Sequence, residues 1–90
     1  MSRNFRHKGL RLLYETGSGK LLTAAVVPKI EEVLTVLDVT TSMPGLKLPG
    51  LHRLQGDRKG EWGITITRNW RIVFTLKNGH VCDVGYEDYH

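Results

Sequence analysis

The sequence contains a single cysteine and lacks any long apolar run. The lone Cys82 has no partner for an internal disulfide, which is typical of proteins from a reducing compartment. The apolar stretch at residues 21–27 is much shorter than the roughly 20 residues that a membrane-spanning helix needs. Arg3, Arg6 and Lys8 open the chain, but the apolar segment of a secretory signal does not follow them. We therefore expect a cytoplasmic protein that does not enter a membrane.

Residue spacing typical of a metal site is also missing. The four histidines are far apart along the chain, at His7, His52, His80 and His90. No second cysteine is available to complete a zinc site with Cys82. Cys82 itself is better interpreted as a small strand residue than as a catalytic thiol, because no helix N-terminus or neighbouring base is apparent to activate it. The sequence predicts neither a metal nor a cofactor.

The length and composition are those of a small globular protein. Ninety residues suffice for one compact domain, and we expect residues 1–90 to form one. Apolar residues make up 40% of the chain and charged residues 24%, which disfavours disorder. The formal net charge is +4, and the basic residues concentrate in two segments: Arg3, Arg6, Lys8 and Arg11, then Arg53, Arg58, Lys59, Arg68 and Arg71. This pattern indicates a polyanionic partner, although a merely solvated surface would show the same charge.

The first half of the chain has helical periodicity. Apolar residues in the segment 6–15 lie at helical spacing, and Gly17 provides a stop signal. A second helix is predicted over residues 26–39, with Pro28 in the first turn, where its missing N–H is not needed. Residues 2–5 are a candidate short strand.

From Leu51 onward the apolar period changes to two, which predicts strands. We therefore expect an α+β fold, with an antiparallel sheet of about four to five strands packed against two N-terminal helices. For Ile64 and Ile72 to share the core face, the loop around Asn69 must hold an odd number of residues, and three is the expected number.

Asn78-Gly79 predicts a two-residue type I′ turn, because both central residues of that turn need positive φ. Counting back from this turn pairs Thr75 with Cys82, Val73 with Val84 and Arg71 with Tyr86. Arg71 and Tyr86 then share the sheet face opposite the core, and Asp88 joins them by alternation. The same count places Asp83 on the helix-covered side, so either the strand is bulged or Asp83 lies at an uncovered margin.

This face carries side chains that suit RNA chemistry. Metal-free RNA cleavage requires a base for the ribose 2′-hydroxyl, a cation for the phosphate and an acid for the leaving oxygen. The candidate residues are His52, Arg71, Tyr86, Asp88, Tyr89 and His90. Each also has a structural interpretation: Arg71 pairs with Glu87, His52 caps a loop, Tyr86 packs at the core and the last residues fray. Spacing alone leaves both interpretations open.

Four strings in the sequence resemble the HigB-type toxins of the RelE superfamily, also called plasmid-maintenance killer proteins. They are FRHKGL at residues 5–10, LHRLQGDR at residues 51–58, NWRIVF at residues 69–74 and YEDYH at residues 86–90. The resemblance covers essentially the whole chain. It implies a microbial-ribonuclease-like RelE fold and a ribosome-dependent endoribonuclease that cuts messenger RNA in the decoding site, where it meets small-subunit ribosomal RNA.

The resemblance also implies roles for individual residues. The implied catalytic residues are His52, Arg71, Asp88, Tyr89 and His90. Asn69 would contact a codon base, although a turn asparagine has a sufficient structural explanation. The residues implied to meet ribosomal RNA phosphates are Arg53, Arg58, Lys59 and Arg68.

The implied reaction is metal-free transesterification, which leaves a 2′,3′-cyclic phosphate and a 5′-hydroxyl. The implied partner is a HigA-type helix-turn-helix antitoxin. Two alternatives remain at this point: a ParE-like toxin that poisons DNA gyrase, and a non-catalytic nucleic-acid-binding module. The histidine and the acidic ending that resemble the catalytic set argue against the first alternative.

Overall fold

The computed structural model describes residues 4–39, 50–58 and 60–88. Within these ranges two helices precede a four-stranded antiparallel sheet, which confirms the predicted α+β fold. The helices are α1 (Lys8–Thr16) and α2 (Val27–Val39), and the strands are β1 (Leu51–Arg53), β2 (Glu61–Thr65), β3 (Trp70–Lys77) and β4 (His80–Asp88). The strands lie in the order β1-β2-β3-β4. Neither described helix has the length and apolar character to cross a membrane.

Helix α1 begins two residues later than the apolar pattern predicts, because His7 is extended and caps the helix. The Nδ1 atom of His7 accepts hydrogen bonds from the backbone N–H groups of Gly9 (3.1 Å) and Leu10 (3.2 Å). The helix ends as predicted at Gly17, whose φ of 78° lies in the left-handed region that glycine adopts readily.

Helix α2 follows a single 3-10 turn at Ala24–Val26. Pro28 lies in its first turn, as predicted, so the missing N–H breaks no helical hydrogen bond. Its buried residues are Ile30, Val33, Leu34 and Leu37.

Both helices pack against one face of the sheet. Their buried residues form a core cluster with Ile64, Ile72, Phe74, Val81 and Val84 from the strands. Burying one side chain of this size contributes about 1.5–3 kcal/mol to folding, so this layer dominates stability. We call the opposite side of the sheet the second face; by strand alternation it carries Glu61, Gly63 and Thr65 of β2 with Arg71, Val73 and Thr75 of β3.

The β2–β3 register agrees with the prediction. Ile64 lies opposite Ile72, so both side chains point into the core. The backbone N–H of Ile66 donates to the carbonyl of Trp70 at 2.9 Å, and this bond closes a loop of three residues, 67–69.

The β3–β4 register agrees with the prediction only near the turn. Asn78 and Gly79 both have positive φ, at 52° and 78°, and Thr75 faces Cys82 as expected. Beyond that point the predicted pairs of Val73 with Val84 and of Arg71 with Tyr86 are wrong. Val73 pairs with Gly85, and Arg71 pairs with Glu87.

A β-bulge at Asp83 causes this shift. Asp83 has a φ of 52°. The bulge gives β4 one more residue than β3 at this point, and the carboxylate of Asp83 therefore points away from the core. That carboxylate accepts a hydrogen bond of 2.7 Å from the side-chain amide of Asn4. Val84 moves into the core in its place and is fully buried. Of the two explanations that the sequence left open for Asp83, the bulged strand is therefore the correct one.

The N-terminal segment runs parallel to β4 at this bulge. Val84 donates its N–H to the carbonyl of Asn4 at 3.0 Å, and Arg6 donates its N–H to the carbonyl of Val84 at 2.8 Å. Phe5 and Val84 form an isolated bridge, so the strand predicted at residues 2–5 is reduced to one pairing in the described part of that segment. The contact brings Arg6 onto the sheet.

Candidate active site

His52 and Arg71 lie on the second face in adjacent rows of the sheet. His52 of β1 pairs with Gly63, and Gly63 pairs with Val73, which in turn pairs with Gly85. The next row contains Thr65, Arg71 and Glu87. Paired residues of antiparallel strands share a face, so the two rows place an imidazole and a guanidinium on the same surface.

The His52 ring is fixed by the backbone around it. Its Nδ1 lies 2.9 Å from the carbonyl oxygen of Gly50. A carbonyl only accepts hydrogen bonds, so Nδ1 carries the proton and Nε2 holds the lone pair of the neutral ring. The ring lies across Gly63, where an added Cβ would be 3.0 Å from Nε2. The lack of a side chain at Gly63 therefore leaves room for the His52 ring to lie against the sheet.

Arg71 forms an ion pair with Glu87. The Nη2 and Nε atoms of Arg71 donate to Oε1 of Glu87 at 2.8 and 3.1 Å. The Arg71 side chain is only 16% exposed, so water screens this pair less than a surface pair. The expected pairing of Arg71 with Glu87 is thus confirmed, and Glu87 takes the position beside Arg71 that the sequence assigned to Tyr86.

Arg58 extends this pair into a chain of alternating charges. Its Nη1 donates to Oε1 of Glu87, while its Nε and Nη2 donate to the two carboxylate oxygens of Glu61, both at 3.0 Å. Arg6 also donates to Oε1 of Glu61, at 3.0 Å. We call Arg6, Glu61, Arg58, Glu87 and Arg71 the charge ladder. Three arginines and two glutamates leave it with a net positive charge.

The charge ladder holds its carboxylates in the ionised form. The hydrogen bond from Arg58, together with that from Arg6, lowers the pKa of Glu61 to about 2. Burial would raise the pKa of Glu87, but the hydrogen bonds from Arg58 and Arg71 outweigh it, and that pKa lies below its ordinary value. Val73 points away from the core, in the row of paired residues that lies between the row of Glu61 and the row of Glu87. It is nevertheless only 1% exposed.

Asp88 does not join Arg71 on the second face as predicted. The bulge shifts β4 by one residue, so Asp88 pairs with Trp70 and Tyr86 pairs with Ile72. Asp88 is exposed, and as the partner of Trp70 it lies on the helix side of the sheet by strand alternation. Trp70 stacks on Tyr86 with ring centroids 4.8 Å apart, and His7 contacts Tyr86 edge-on at 5.6 Å.

A cleft of about 350 Å³ opens beside these aromatic rings. It is lined by His7, Trp70 and Tyr86 together with residues of the segment before α2: Leu21, Leu22, Thr23 and Val26. His7 and Tyr86 also line a smaller cleft of about 130 Å³ that reaches Arg6, Val73 and Glu87. The two clefts thus meet at the edge of β4. Burial lowers the pKa of His7 and raises that of Tyr86, so both rings are uncharged at neutral pH.

The other residues predicted from the resemblance are dispersed. Arg68 and Asn69 are exposed in the loop between β2 and β3, and the N–H of Asn69 donates to Oγ1 of Thr67 at 3.3 Å. Arg53 lies over the ring of Trp62, 5.0 Å from its centroid. Lys59, Tyr89 and His90 lie outside the described residues.

Three residues of this site were missed in the sequence. Glu61 precedes the alternating residues of β2, and extending that alternation by one position would have placed it on the second face. The strand periodicity accounts for Trp70 only as an apolar strand residue, although it directly precedes Arg71. Arg6 gives no local signal, because its contact with Glu61 spans 55 positions of sequence.

Comparison with solved structures defines the class of fold. The structure of a YoeB dimer from Staphylococcus aureus has a TM-score of 0.59 to this chain, covering 97% of it and 93% of the YoeB chain. The sequence identity is 22%, so this likeness concerns the fold alone. The chain is therefore a small α+β protein with a YoeB-like fold and a charged second face.

Sequence comparison then defines the family. The family model for HigB-like toxins, described as the RelE-like toxin of the type II toxin-antitoxin system HigB, matches residues 3–90. The chain belongs to this family. It is 42% identical to the Endoribonuclease HigB of Proteus vulgaris over 92 residues, and the match covers the whole of both sequences.

Proposed function

We propose that this toxin is an endoribonuclease that cuts messenger RNA in the decoding site of the ribosome. The observation that carries the proposal is the placement of the His52 imidazole and the Arg71 guanidinium on one face of the sheet. The family and the 42% identical endoribonuclease of Proteus vulgaris support the same class of activity.

The proposed reaction is a metal-free transesterification. A base takes the proton of the ribose 2′-hydroxyl, and the 2′-oxygen attacks the adjacent phosphorus. The bond from phosphorus to the 5′-oxygen breaks, and an acid gives that oxygen a proton. The products are a 2′,3′-cyclic phosphate and a 5′-hydroxyl. Negative charge accumulates on the phosphate oxygens in the transition state, where a nearby guanidinium stabilises it.

His52 and Arg71 fit two of these roles. The hydrogen bond of Nδ1 with Gly50 leaves the lone pair of His52 on Nε2, the form that a general base needs. Arg71 presents the guanidinium for the phosphate. Asp88, Tyr89 and His90 complete the proposed catalytic group, in which His90 shares the acid and base roles with His52. Asp88 closes β4, one position after the Glu87 that holds Arg71.

The aromatic rings beside Asp88 fit an RNA substrate. Trp70 is 39% exposed although it is a large apolar residue, and Tyr86 supports its ring from one side. A base stacked on such a platform gains about 1–3 kcal/mol without sequence readout. We propose that a messenger base stacks on Trp70 and that Asn69, the preceding residue, contacts a codon base.

Several partners follow from this function. Arg53, Lys59 and Arg68 would contact phosphates of small-subunit ribosomal RNA and contribute salt-dependent affinity. The ribosome would hold the messenger in the reactive geometry, which would increase the rate of cutting by positioning the reacting groups. Ribosome binding would place the toxin in the cytoplasm. A type II toxin has an antitoxin, and we propose a HigA-type helix-turn-helix protein in that role.

Primer extension on a translated messenger tests the proposal. We expect the wild-type protein to produce cuts only when ribosomes are present. His52→Ala should reduce cutting by about two orders of magnitude, because general acid–base groups contribute roughly 10²–10⁴ in rate. His80→Ala is the matched control, since His80 is exposed beside the Asn78-Gly79 turn, and it should cut normally.

Three results would contradict the proposal. If messenger without ribosomes is cut at the same rate as messenger on ribosomes, cleavage does not depend on the ribosome. If His52→Ala cuts messenger at the wild-type rate and its circular dichroism is unchanged, His52 is not a catalytic residue. Toxicity without any cutting would favour the alternatives of gyrase poisoning or non-catalytic binding.

A further inference from the structure

Two guanidinium groups converge on one oxygen atom of Glu87. Arg71 approaches Oε1 through Nη2 and Nε, at 2.8 and 3.1 Å, and Arg58 donates to the same oxygen through Nη1. The side chains of Arg58 and Glu87 are 32% and 33% exposed, and that of Arg71 is 16% exposed. The Glu87 carboxylate therefore lies where solutes reach it, with two cations behind it.

This arrangement matches the chemistry of a phosphodiester ligand. A carboxylate and the non-bridging oxygens of a phosphodiester both carry one negative charge shared by two oxygens. Arginine recognises either group with the same fork of N–H donors. A carboxylate from the protein can thus occupy a phosphate position before RNA arrives.

The two glutamates of the charge ladder are held differently. Glu61 receives two hydrogen bonds from Arg58 and one from Arg6, and it is 19% exposed. The contact with Glu61 uses Nε and Nη2 of Arg58, so this arginine keeps its place when Nη1 changes partner. Glu87 is the more exposed acceptor and lies at the end of β4. Glu61 anchors the arginine, and Glu87 is the partner that can leave.

We infer that Arg58 and Arg71 form a single binding site for one phosphodiester of RNA, which Glu87 fills until the RNA displaces it. This inference rests on the proposed function and deepens it. Arg58 becomes a substrate-binding residue, whereas the resemblance implied contact with ribosomal RNA. Glu87 is then a positioning residue that aligns both guanidiniums and competes with the substrate.

Competition by Glu87 predicts a gain of affinity when its charge is removed. A tethered carboxylate has a high effective concentration, so RNA must displace it at a cost. Glu87→Gln keeps the shape but loses the charge. We expect it to bind a short single-stranded RNA roughly two- to fivefold more tightly, the range of one partly exposed charge pair.

The binding assay uses the full-length protein without ribosomes. The RNA carries 2′-O-methyl groups throughout, so the 2′-oxygen cannot attack and only binding is measured. Glu32→Gln is the matched control, because it makes the same change in net charge on the exposed surface of α2. In the double variant Arg58→Gln/Glu87→Gln, the gain from Glu87→Gln should be smaller than it is with Arg58 present, since one of the two cations is gone. Thermal denaturation checks that each variant is folded.

Affinity of Glu87→Gln no greater than that of Glu32→Gln would overturn the inference. Arginine side-chain NMR of the wild-type protein gives a second test that needs no variant. On addition of the RNA, the Nε resonances of Arg58 and Arg71 should shift together. If neither shifts at saturating RNA, the site does not exist.

The two proposals fail in different ways. If the wild type cuts messenger on ribosomes but Glu87→Gln gains no affinity for RNA, the nuclease proposal is supported and the phosphodiester site is rejected. If Glu87→Gln gains affinity for RNA but neither it nor the wild type cuts messenger, the binding site is supported and the nuclease proposal is rejected.

Discussion

His52 depends on the absence of a side chain at Gly63. Its ring lies across the Gly63 backbone, and the hydrogen bond of its Nδ1 with the Gly50 carbonyl fixes its tautomer. An alanine Cβ at position 63 would lie 3.0 Å from Nε2, closer than ordinary van der Waals contact. Because the ring is partly exposed, it can move away from the added Cβ. The substitution should therefore disturb the catalytic geometry more than the fold.

Gly63→Ala should therefore reduce ribosome-dependent cutting at least tenfold, because small displacements of reacting groups are costly. The free energy of unfolding should fall by no more than about 1–3 kcal/mol, the usual cost of overpacking. Primer extension and urea denaturation measure the two effects separately.

Gly19→Ala serves as the control for overpacking. Its Cβ would meet Cγ2 of Val27 at 2.8 Å, away from His52, so it should lower stability while cutting persists. If Gly63→Ala cuts like the wild type, the position of the His52 ring has no influence on the reaction.

Residue types gave useful predictions where chemistry is local. His52 and Arg71 were proposed from the kinds of side chain that RNA cleavage needs, and both lie on the second face. The pairing of Arg71 with Glu87 was also foreseen, as a structural alternative. The contacts of Arg58 and Arg6 were not foreseen, because both depend on how distant segments meet over the sheet.

At the level of elements, the sequence predicted the helices and most strand pairings. The three-residue loop after β2 and the type I′ turn at Asn78-Gly79 follow from periodicity and turn chemistry. The register failed after Asp83, because one extra residue in a strand exchanges its two faces. The bulge is stabilised by Asn4, from the other end of the chain, so local sequence could only show that Asp83 conflicted with a regular strand.

The cap of α1 links its stability to pH. His7 accepts two backbone N–H bonds on Nδ1, so only the unprotonated nitrogen can cap the helix. Burial lowers the pKa of His7 in the folded protein. The unfolded chain, with a pKa near 6.5, therefore binds the proton first as the pH falls. This contribution to stability is complete above about pH 6.5 and is lost progressively below it.

His7→Asn should reduce this pH dependence, because asparagine also caps helices but does not titrate. The difference in unfolding free energy between pH 7.5 and pH 5.5, measured by urea denaturation, should be smaller in His7→Asn than in the wild type. His7→Ala should cost about 1 kcal/mol at pH 7.5 through loss of the cap. His80→Asn controls for the removal of an exposed histidine, and an equal effect of His80→Asn would contradict the role of His7.

At the scale of the whole molecule, the net charge of +4 indicates a polyanionic partner but not the surface that meets it. Four of the arginines fall into two groups in the structure. Arg6, Arg58 and Arg71 are paired with Glu61 and Glu87 in the charge ladder, so two of their three positive charges are balanced there. Arg68 extends from the exposed loop between β2 and β3. The two groups should therefore respond differently to salt.

Each phosphate contact made by an exposed arginine releases counterions, so it adds close to one unit to the salt dependence of binding. We expect Arg68→Gln to reduce the slope of log affinity for ribosomes against log salt by about one. Arg11→Gln is the matched control, because Arg11 is exposed on α1, and it should leave the slope unchanged. Binding is measured by cosedimentation at several potassium concentrations. Equal slopes for Arg68→Gln and the wild type would mean that the β2–β3 loop does not face ribosomal RNA. In that case the second face would have to meet the messenger from a different orientation of the toxin.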